Sequence, residues 1–155
     1  MHARSFVAIL VSMLVSILIL ATTPARAGGT TDVGEYLIHY NAISTDDLAP
    51  EVASAYNVVR SRNRALLNIA ITRKEDGSTG VPVEALVNVH AANLSGQVKN
   101  VTLRKIVEKG DFQAIYYVAE INVADGEMLI FDVYVTPEGE SETYSVHFKQ
   151  QFFAS

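Results

Sequence analysis

Three histidines, His39, His90 and His147, are the side chains of this sequence best suited to metal binding or proton transfer. Each lies where apolar and polar residues alternate, and the alternation places each imidazole on the polar side of its predicted strand. Neutral imidazole binds zinc and copper, so His39 and His90 on neighbouring strands can form a metal site. The competing interpretation is solvated imidazoles, because no two histidines have the spacing of a local ligand motif. His147 is the poorest candidate, because Lys149 shares its face.

A second candidate is the densest positive charge of the chain, which lies in one short stretch. Its residues are Arg60, Ser61, Arg62, Asn63 and Arg64. Guanidinium groups bind phosphates and carboxylates through paired hydrogen bonds, so this stretch can bind an anionic ligand or an acidic partner. It can equally pair with Asp46, Asp47 and Glu51, which lie shortly before it, and exposed pairs of this kind add little stability.

Residue types that are used in catalysis lack the arrangements that catalysis needs. The chain has no cysteine, which excludes thiol catalysis and cysteine-based metal sites, and it has no Gly-x-Ser-x-Gly segment. Carboxylate pairs such as Glu138 and Glu140 fall at predicted turns, where nothing would orient a substrate. We therefore predict a protein that is not an enzyme and carries no cofactor. A hydrolase with an unrecognised site is the alternative.

The stretch Ala114–Val135 is the clearest structural signal, because its apolar residues alternate with period two on both sides of Asp125-Gly126. Asp-Gly tolerates the positive φ of tight turns, so the stretch is predicted to form a β-hairpin. Tyr117 and Phe131 would be its large inward side chains. Its outward face is also unusually apolar, and we expect a helix and the loop before it to cover that face.

Seven strands are predicted in all, separated by turn-forming residues. They are Glu35–Asn41, Arg64–Arg73, Val81–Asn93, Val98–Val107, the two arms of Ala114–Val135, and Tyr144–Phe153. A short helix is predicted over Ala49–Tyr56, and Gly28–Val33 is expected to be a loose lead. This spacing favours an all-β fold: a seven-stranded immunoglobulin-like antiparallel β-sandwich with one short helix between strands one and two. An up-and-down β-barrel is the alternative.

Residues 1–27 have the three parts of a secretory signal peptide. A weakly basic start precedes the apolar run Phe6–Ala21, and Ala25-Arg26-Ala27 has the small-x-small form of a cleavage site. We predict cleavage after Ala27, which leaves residues 28–155 as a single domain without a transmembrane segment. No cysteine follows the apolar run, which excludes a bacterial lipoprotein anchor. The predicted location is the periplasm.

The charge balance bears on the class of partner. The net charge is −5 and becomes more negative when Arg4 and Arg26 leave with the signal peptide. An acidic chain lacks the positive surface that neutralises phosphates, so nucleic acid is not an expected partner.

Six segments carry a family resemblance. They are Tyr36–Asn41, Leu48–Tyr56, Arg60–Asn68, Ala114–Tyr117, Glu127–Phe131 and Phe148–Phe152. Together they resemble an uncharacterised family of small exported proteins of Gram-negative bacteria, a domain of unknown function. The resemblance covers most of the chain after residue 27 and implies export to the periplasm and one compact domain. It supplies no substrate, cofactor or catalytic residue.

Binding is the leading functional hypothesis. The predicted contact surface consists of the polar positions within the resembling segments: His39, Asn41, Arg60, Ser61, Arg64 and Asn68. We expect a non-enzymatic periplasmic protein that binds a partner protein or a small ligand there. A copper or zinc carrier that uses His39 and His90 is the second hypothesis.

Overall fold

The fold is that of a computed structural model, which describes residues 28–109 and 113–153. The predicted signal peptide lies outside these ranges. The elements are β1 (Gly28–Val33), β2 (Tyr36–Ser44), a 3-10 helix (Thr45–Asp47), α1 (Pro50–Ala55), β3 (Arg64–Arg73), β4 (Val81–Pro82), β5 (Ala85–Asn93), β6 (Arg104–Glu108), β7 (Ala114–Asn122), β8 (Met128–Pro137) and β9 (Tyr144–Gln151). Within the described ranges, neither helix is long and apolar enough to cross a membrane.

The nine strands of the described ranges divide between two antiparallel sheets that pack as a sandwich. Sheet A has the order β1-β2-β3-β7-β6, with β4 paired to the end of β3, and sheet B has the order β5-β8-β9. The predicted antiparallel β-sandwich is confirmed, and α1 lies between the first two predicted strands. The predicted number of seven strands is wrong, because Gly28–Val33 is also a strand and the predicted strand Val81–Asn93 is divided in two. The barrel alternative is wrong, because the strands form two separate sheets.

One apolar core lies between the two sheets. Phe131 of β8 is fully buried in it and stacks on Phe148 of β9, with 4.7 Å between the ring centroids. Tyr117 of β7 faces the same interior, and its hydroxyl accepts a 2.7 Å hydrogen bond from the backbone N–H of Ala85 in the other sheet. The inward faces predicted for Tyr117 and Phe131 are therefore confirmed.

A second, smaller apolar cluster lies on the outer face of sheet A beneath α1. Ala53 of the helix is buried in this cluster with Leu66 of β3 and Val118 of β7, and Tyr116 packs against them. The expected covering of the outward apolar face is thus confirmed for Tyr116. It is wrong for Tyr134, which belongs to β8 in the other sheet and is 39% exposed.

Gly28–Val33 is a strand, so the expectation of a loose lead is wrong. It pairs with β2 along its whole length. The two strands are joined by the two residues Gly34-Glu35, and Gly34 has a φ of 64°, which glycine adopts without strain. Gly34 at the start of a two-residue connection is a pattern typical of a β-hairpin. The segment was not predicted to be a strand because its composition is polar.

β7 and β8 do not pair with each other, so the predicted hairpin is wrong. β7 pairs with β3 and β6, β8 pairs with β5 and β9, and the residues between them cross from one sheet to the other. A two-residue type I′ turn needs positive φ at both central positions. Here Gly126 has a φ of 71°, whereas Asp125 is not in the positive region. The buried faces were still predicted correctly, because alternation depends on each strand alone.

Glu127 ties this crossover loop to the segment that follows β5. Its carboxylate lies 2.7 Å from Nζ of Lys99 and accepts a 2.9 Å hydrogen bond from Nδ2 of Asn93. The backbone N–H of Ala124 donates to it as well, over 2.8 Å. Burial acts to raise the pKa of Glu127, but these hydrogen bonds and the lysine charge outweigh it and lower the pKa below its ordinary value.

Two predicted strands are shorter in the structure. Val81–Asn93 divides into β4 and β5, and only the end of Val98–Val107 belongs to β6. Val101 and Leu103 precede β6 and pack against the core without belonging to a strand. Their alternating apolar pattern therefore reflects burial against the core. It was wrongly interpreted as evidence of a paired strand.

Candidate functional site

β3 changes its pairing partner along its length, and a notch opens at the change. Up to Ile69 it pairs with β7, and from Thr72 it pairs with the two-residue β4. Just beyond β4 the backbone N–H of Val83 donates a 3.0 Å hydrogen bond to the carbonyl of Ile71, so this second pairing covers only the end of β3. A pocket of about 330 Å³ lies at this opening, on sheet A.

This polar pocket is formed by β2 and β3 on one side and by the start of β7 on the other. Its polar side chains are His39, Asn41, Asn68, Thr72, Thr79 and Gln113. Three positions singled out from the sequence, His39, Asn41 and Asn68, therefore lie together. Asn41 is opposite Asn68 in the β2–β3 register, and His39 lies two residues before Asn41, so all three share the outer face.

His39 is fixed in the wall of the polar pocket by two threonines. Its Nδ1 lies 3.0 Å from Oγ1 of Thr30 on β1, and its Nε2 lies 3.0 Å from Oγ1 of Thr72 on β3. Burial lowers the pKa of His39 below its ordinary value of 6.5. The imidazole is therefore held neutral near pH 7, and one ring nitrogen donates while the other accepts.

Asn68 presents an unused hydrogen-bond acceptor. Its Oδ1 is buried, and no group in the described part of the chain donates a hydrogen bond to it. Buried polar atoms in folded proteins nearly always have a partner, so such an atom beside a pocket requires an explanation. The missing donor is an N–H or O–H group, which the described part of the chain does not supply.

A second pocket of about 200 Å³ adjoins the first, beside α1. The side chains that make this apolar pocket include Ile43, Leu48, Val52, Val58, Leu66 and Val118. Asn41, Asn68 and Tyr116 line both pockets. The outer face of sheet A therefore carries one groove, with a polar part at the notch and an apolar part beside the helix.

Tyr56 lies in the wall of the apolar pocket with its hydroxyl group paired. The hydroxyl donates a hydrogen bond to the Glu108 carboxylate at the end of β6. That hydrogen bond, together with burial, raises the pKa of Tyr56 to about 12. The contact links the end of α1 to the edge strand of sheet A and so holds this side of the pocket.

Comparison with known proteins identifies the family. Residues 30–155 match the family model described as a domain of unknown function, DUF4426. The chain belongs to the DUF4426 family. The family resemblance inferred from the six sequence segments is thereby confirmed. Among curated proteins, none matches the sequence.

A crystal structure of a DUF4426 family protein from Pseudomonas aeruginosa PAO1, a Gram-negative bacterium, is similar to this chain. The two share 31% sequence identity and superpose with a TM-score of 0.67, over 83% of this chain and 97% of that one. The yeast GGA1 GAE domain covers 81% of this chain and 98% of its own, with 12% identity and a TM-score of 0.37. That likeness is too low to support an inference.

The arginine stretch of this DUF4426 chain lies apart from the polar pocket and is paired locally. Arg60 donates from Nη2 to a backbone carbonyl of the 3-10 helix over 2.7 Å. Nη1 of Arg64 lies 3.1 Å from the Glu120 carboxylate on β7. Ser61 exchanges two backbone hydrogen bonds with the hydroxyl of Thr45. The structure therefore does not bring Arg60, Ser61 and Arg64 into one site with the polar pocket.

The histidines of this DUF4426 chain are divided between the two sheets. His39 faces outward from sheet A and His90 faces outward from sheet B, so the structure does not bring them together. His90 is opposite Asp132, which lies 2.6 Å from Nδ1 of His147 on the next strand. Across the described ranges, no three His, Cys, Asp or Glu residues are grouped so as to hold a metal ion. A shared metal site of His39 and His90 has no geometric support.

Sequence reasoning missed several residues that complete the site. Thr30 and Thr72 hold His39, and Tyr116 lies where the two pockets adjoin. Thr72 alternates in step with Asn68 on β3, and Tyr116 is the outward neighbour of the inward Tyr117 on β7, so alternation contained part of the signal. Thr30 could not be assigned to a face by alternation, because its segment was not predicted to be a strand.

Proposed function

We propose that this DUF4426 domain is an exported, non-enzymatic protein that binds a small ligand in its polar pocket. The observation that carries the proposal is Asn68 Oδ1, a buried acceptor without a donor beside a cavity of about 330 Å³. Cavities that bind small molecules are typically about 300–1,000 Å³, with a few fixed polar groups that set orientation. His39 is such a fixed group, because both of its ring nitrogens are engaged.

Export to the periplasm is part of the same proposal. The three-part pattern of residues 1–27 supports it, as does a similar protein from a Gram-negative bacterium. Expression of the full chain in a Gram-negative host, followed by intact mass measurement of the periplasmic fraction, tests it. We expect the mass of residues 28–155. Recovery of the full-length mass from the cytoplasm alone would contradict it.

Ligand binding is tested by titrating purified protein with N-methylacetamide, a small neutral probe with one N–H donor. Nitrogen–proton correlation spectra should show shifts concentrated at His39, Asn68 and Thr72, with millimolar affinity because the probe has few atoms. Asn68→Leu should remove these shifts. Asn88→Leu is the matched control, because Asn88 is exposed on the outer face of sheet B. Shifts outside the pocket, or shifts that persist in Asn68→Leu, would contradict the proposal.

A hydrolase is the second candidate, and one contact favours it. Nε2 of His39 lies within hydrogen-bond distance of the Thr72 hydroxyl in the polar pocket, which is the relation of a base to a nucleophile. The partner of Nδ1 is the hydroxyl of Thr30, whereas triads place a carboxylate there. Turnover of p-nitrophenyl acetate that is lost in Thr72→Val would favour the hydrolase over the binding protein.

A further inference from the structure

The two adjoining pockets on sheet A differ sharply in chemistry. The polar pocket presents amide, hydroxyl and imidazole groups, whereas the apolar pocket presents aliphatic side chains of α1, β3 and β7. Asn68 lies where they adjoin, and it carries the acceptor without a donor. A ligand that uses both pockets must therefore have a hydrogen-bonding end and an apolar end, with a donor near their junction.

The described lining of both pockets is uncharged. Among the described residues, no lysine, arginine, aspartate or glutamate lines either pocket. Charged groups beside the pockets are engaged by the protein itself: Arg64 pairs with Glu120, and Glu108 accepts the hydrogen bond of Tyr56. Nη2 of Arg104 donates to the backbone carbonyl of Tyr56. His39 is held neutral by its burial, which lowers its pKa. Transfer of an ionised group out of water without a partner is strongly unfavourable, so these pockets select an uncharged head group.

We propose that this protein binds an uncharged amphiphile. Its head group, bearing an O–H or N–H, occupies the polar pocket and donates to Oδ1 of Asn68, and its alkyl chain lies in the apolar pocket beside α1. This inference rests on the proposed function and deepens it, because it adds the chemical class of the ligand. The volumes agree with it, since the two pockets together fall within the range of small-molecule sites.

The burial of an alkyl chain has a measurable signature. Each methylene that leaves water for an apolar site adds a constant increment to the free energy of binding. This increment corresponds to about a fourfold change in Kd. Affinity should therefore fall by about fourfold per methylene as the chain of a fixed head group is shortened. A ligand held by its head group alone would show no such dependence.

Isothermal titration calorimetry with acylglycerols, below their micelle-forming concentrations, measures this signature. Monooctanoylglycerol, monohexanoylglycerol and monobutanoylglycerol share a neutral head group and differ in chain length. Octanoate has the same eight-carbon chain as monooctanoylglycerol, but its head group is a charged carboxylate. We expect Kd to rise by about sixteenfold at each step of the acylglycerol series, because each step removes two methylenes. Octanoate should bind at least about tenfold more weakly than monooctanoylglycerol.

Two variants test whether the alkyl chain of the ligand lies in the apolar pocket. Val52 lies on α1, lines the apolar pocket and is 40% exposed, so Val52→Trp fills the pocket from its rim at little cost to the fold. Val59 is 58% exposed and lines neither pocket, so Val59→Trp is the matched control. Val52→Trp should abolish the chain-length dependence and leave N-methylacetamide binding unchanged. Val59→Trp should change neither.

The outcomes separate the two proposals. Equal affinity along the acylglycerol series, octanoate binding as tightly as monooctanoylglycerol, or chain-length dependence that survives Val52→Trp would each overturn the amphiphile. N-methylacetamide binding at the polar pocket would leave the proposed function standing in each of those cases. Failure of N-methylacetamide to perturb the polar pocket would instead contradict the proposed function.

Discussion

Replacing Asn68 by leucine should stabilise the protein and abolish its ligand binding at the same time. Oδ1 of Asn68 is buried, and no group in the described ranges donates to it. A buried acceptor without a partner costs about 1–3 kcal/mol, and leucine has a similar size and no acceptor. Because the side chain as a whole is only half-buried, we expect a gain at the lower end, about 1 kcal/mol.

A matched variant separates this effect from strand propensity. Leucine suits a strand better than asparagine, and strand propensities in host proteins span about 1 kcal/mol. Asn41 is opposite Asn68 in the register, shares its face and lines the same two pockets. Its amide oxygen is not among the buried atoms without a partner. The free energy of unfolding of Asn68→Leu should therefore exceed that of Asn41→Leu by about 1 kcal/mol.

Urea unfolding followed by linear extrapolation gives both free energies, provided that the slope is the same in the two variants. A gain in stability that accompanies loss of binding is expected of a residue selected for function. Equal stability of the two variants, or a less stable Asn68→Leu, would show that Oδ1 has a partner in the free protein. The argument that a ligand supplies its donor would then be refuted.

Three further changes test the fold around the site. Phe131→Ala should lower the free energy of unfolding by about 3–5 kcal/mol, since Phe131 is fully buried, and an unshifted urea midpoint would refute its inward placement. Glu127→Gln should cost about 1.5–3 kcal/mol at pH 7, against less than about 1 kcal/mol for Glu84→Gln, because the Glu84 side chain is 46% exposed and that of Glu127 only 11%. Because the folded pKa of Glu127 is lowered, this contribution is present above pH 4.5 and is lost as the pH falls through the folded value. The wild type should lose stability relative to Tyr56→Phe as the pH rises from 10.0 to about 12, because the contribution of the raised Tyr56 pKa is fully present below 10.0 and is lost over that interval. Urea unfolding of both proteins across this pH range measures the difference.

The faces of the strands could be predicted from the sequence, whereas their partners could not. The inward positions of Tyr117 and Phe131 follow from alternation within each strand, which needs no knowledge of the neighbour. Pairing depends on where the chain goes after Gly126, and a single positive φ is compatible with a crossover as well as with a hairpin turn. The Asp-Gly dipeptide therefore located the turn without determining which sheet came next.

Part of the site could be predicted for the same reason. His39 and Asn41 were grouped with Asn68 as outward polar residues, and the β2–β3 register brings them together. Arg64 was grouped with them because it is a polar position of the same resembling segments, but it lies elsewhere, where it pairs with Glu120 on β7. No local pattern contains the choice of a partner so distant in the sequence.

The groove arises from a mismatch in length between α1 and the strand that it covers. α1 has six residues, which at 1.5 Å per residue span about 9 Å, whereas the ten residues of β3 span about 33 Å. The helix therefore covers the outer face near Leu66 and leaves the face from Asn68 to Thr72 open. Polar residues are tolerated on the open part, and apolar residues are required beneath the helix. An amphipathic groove at their boundary follows from this arrangement, and Asn68 lies at that boundary.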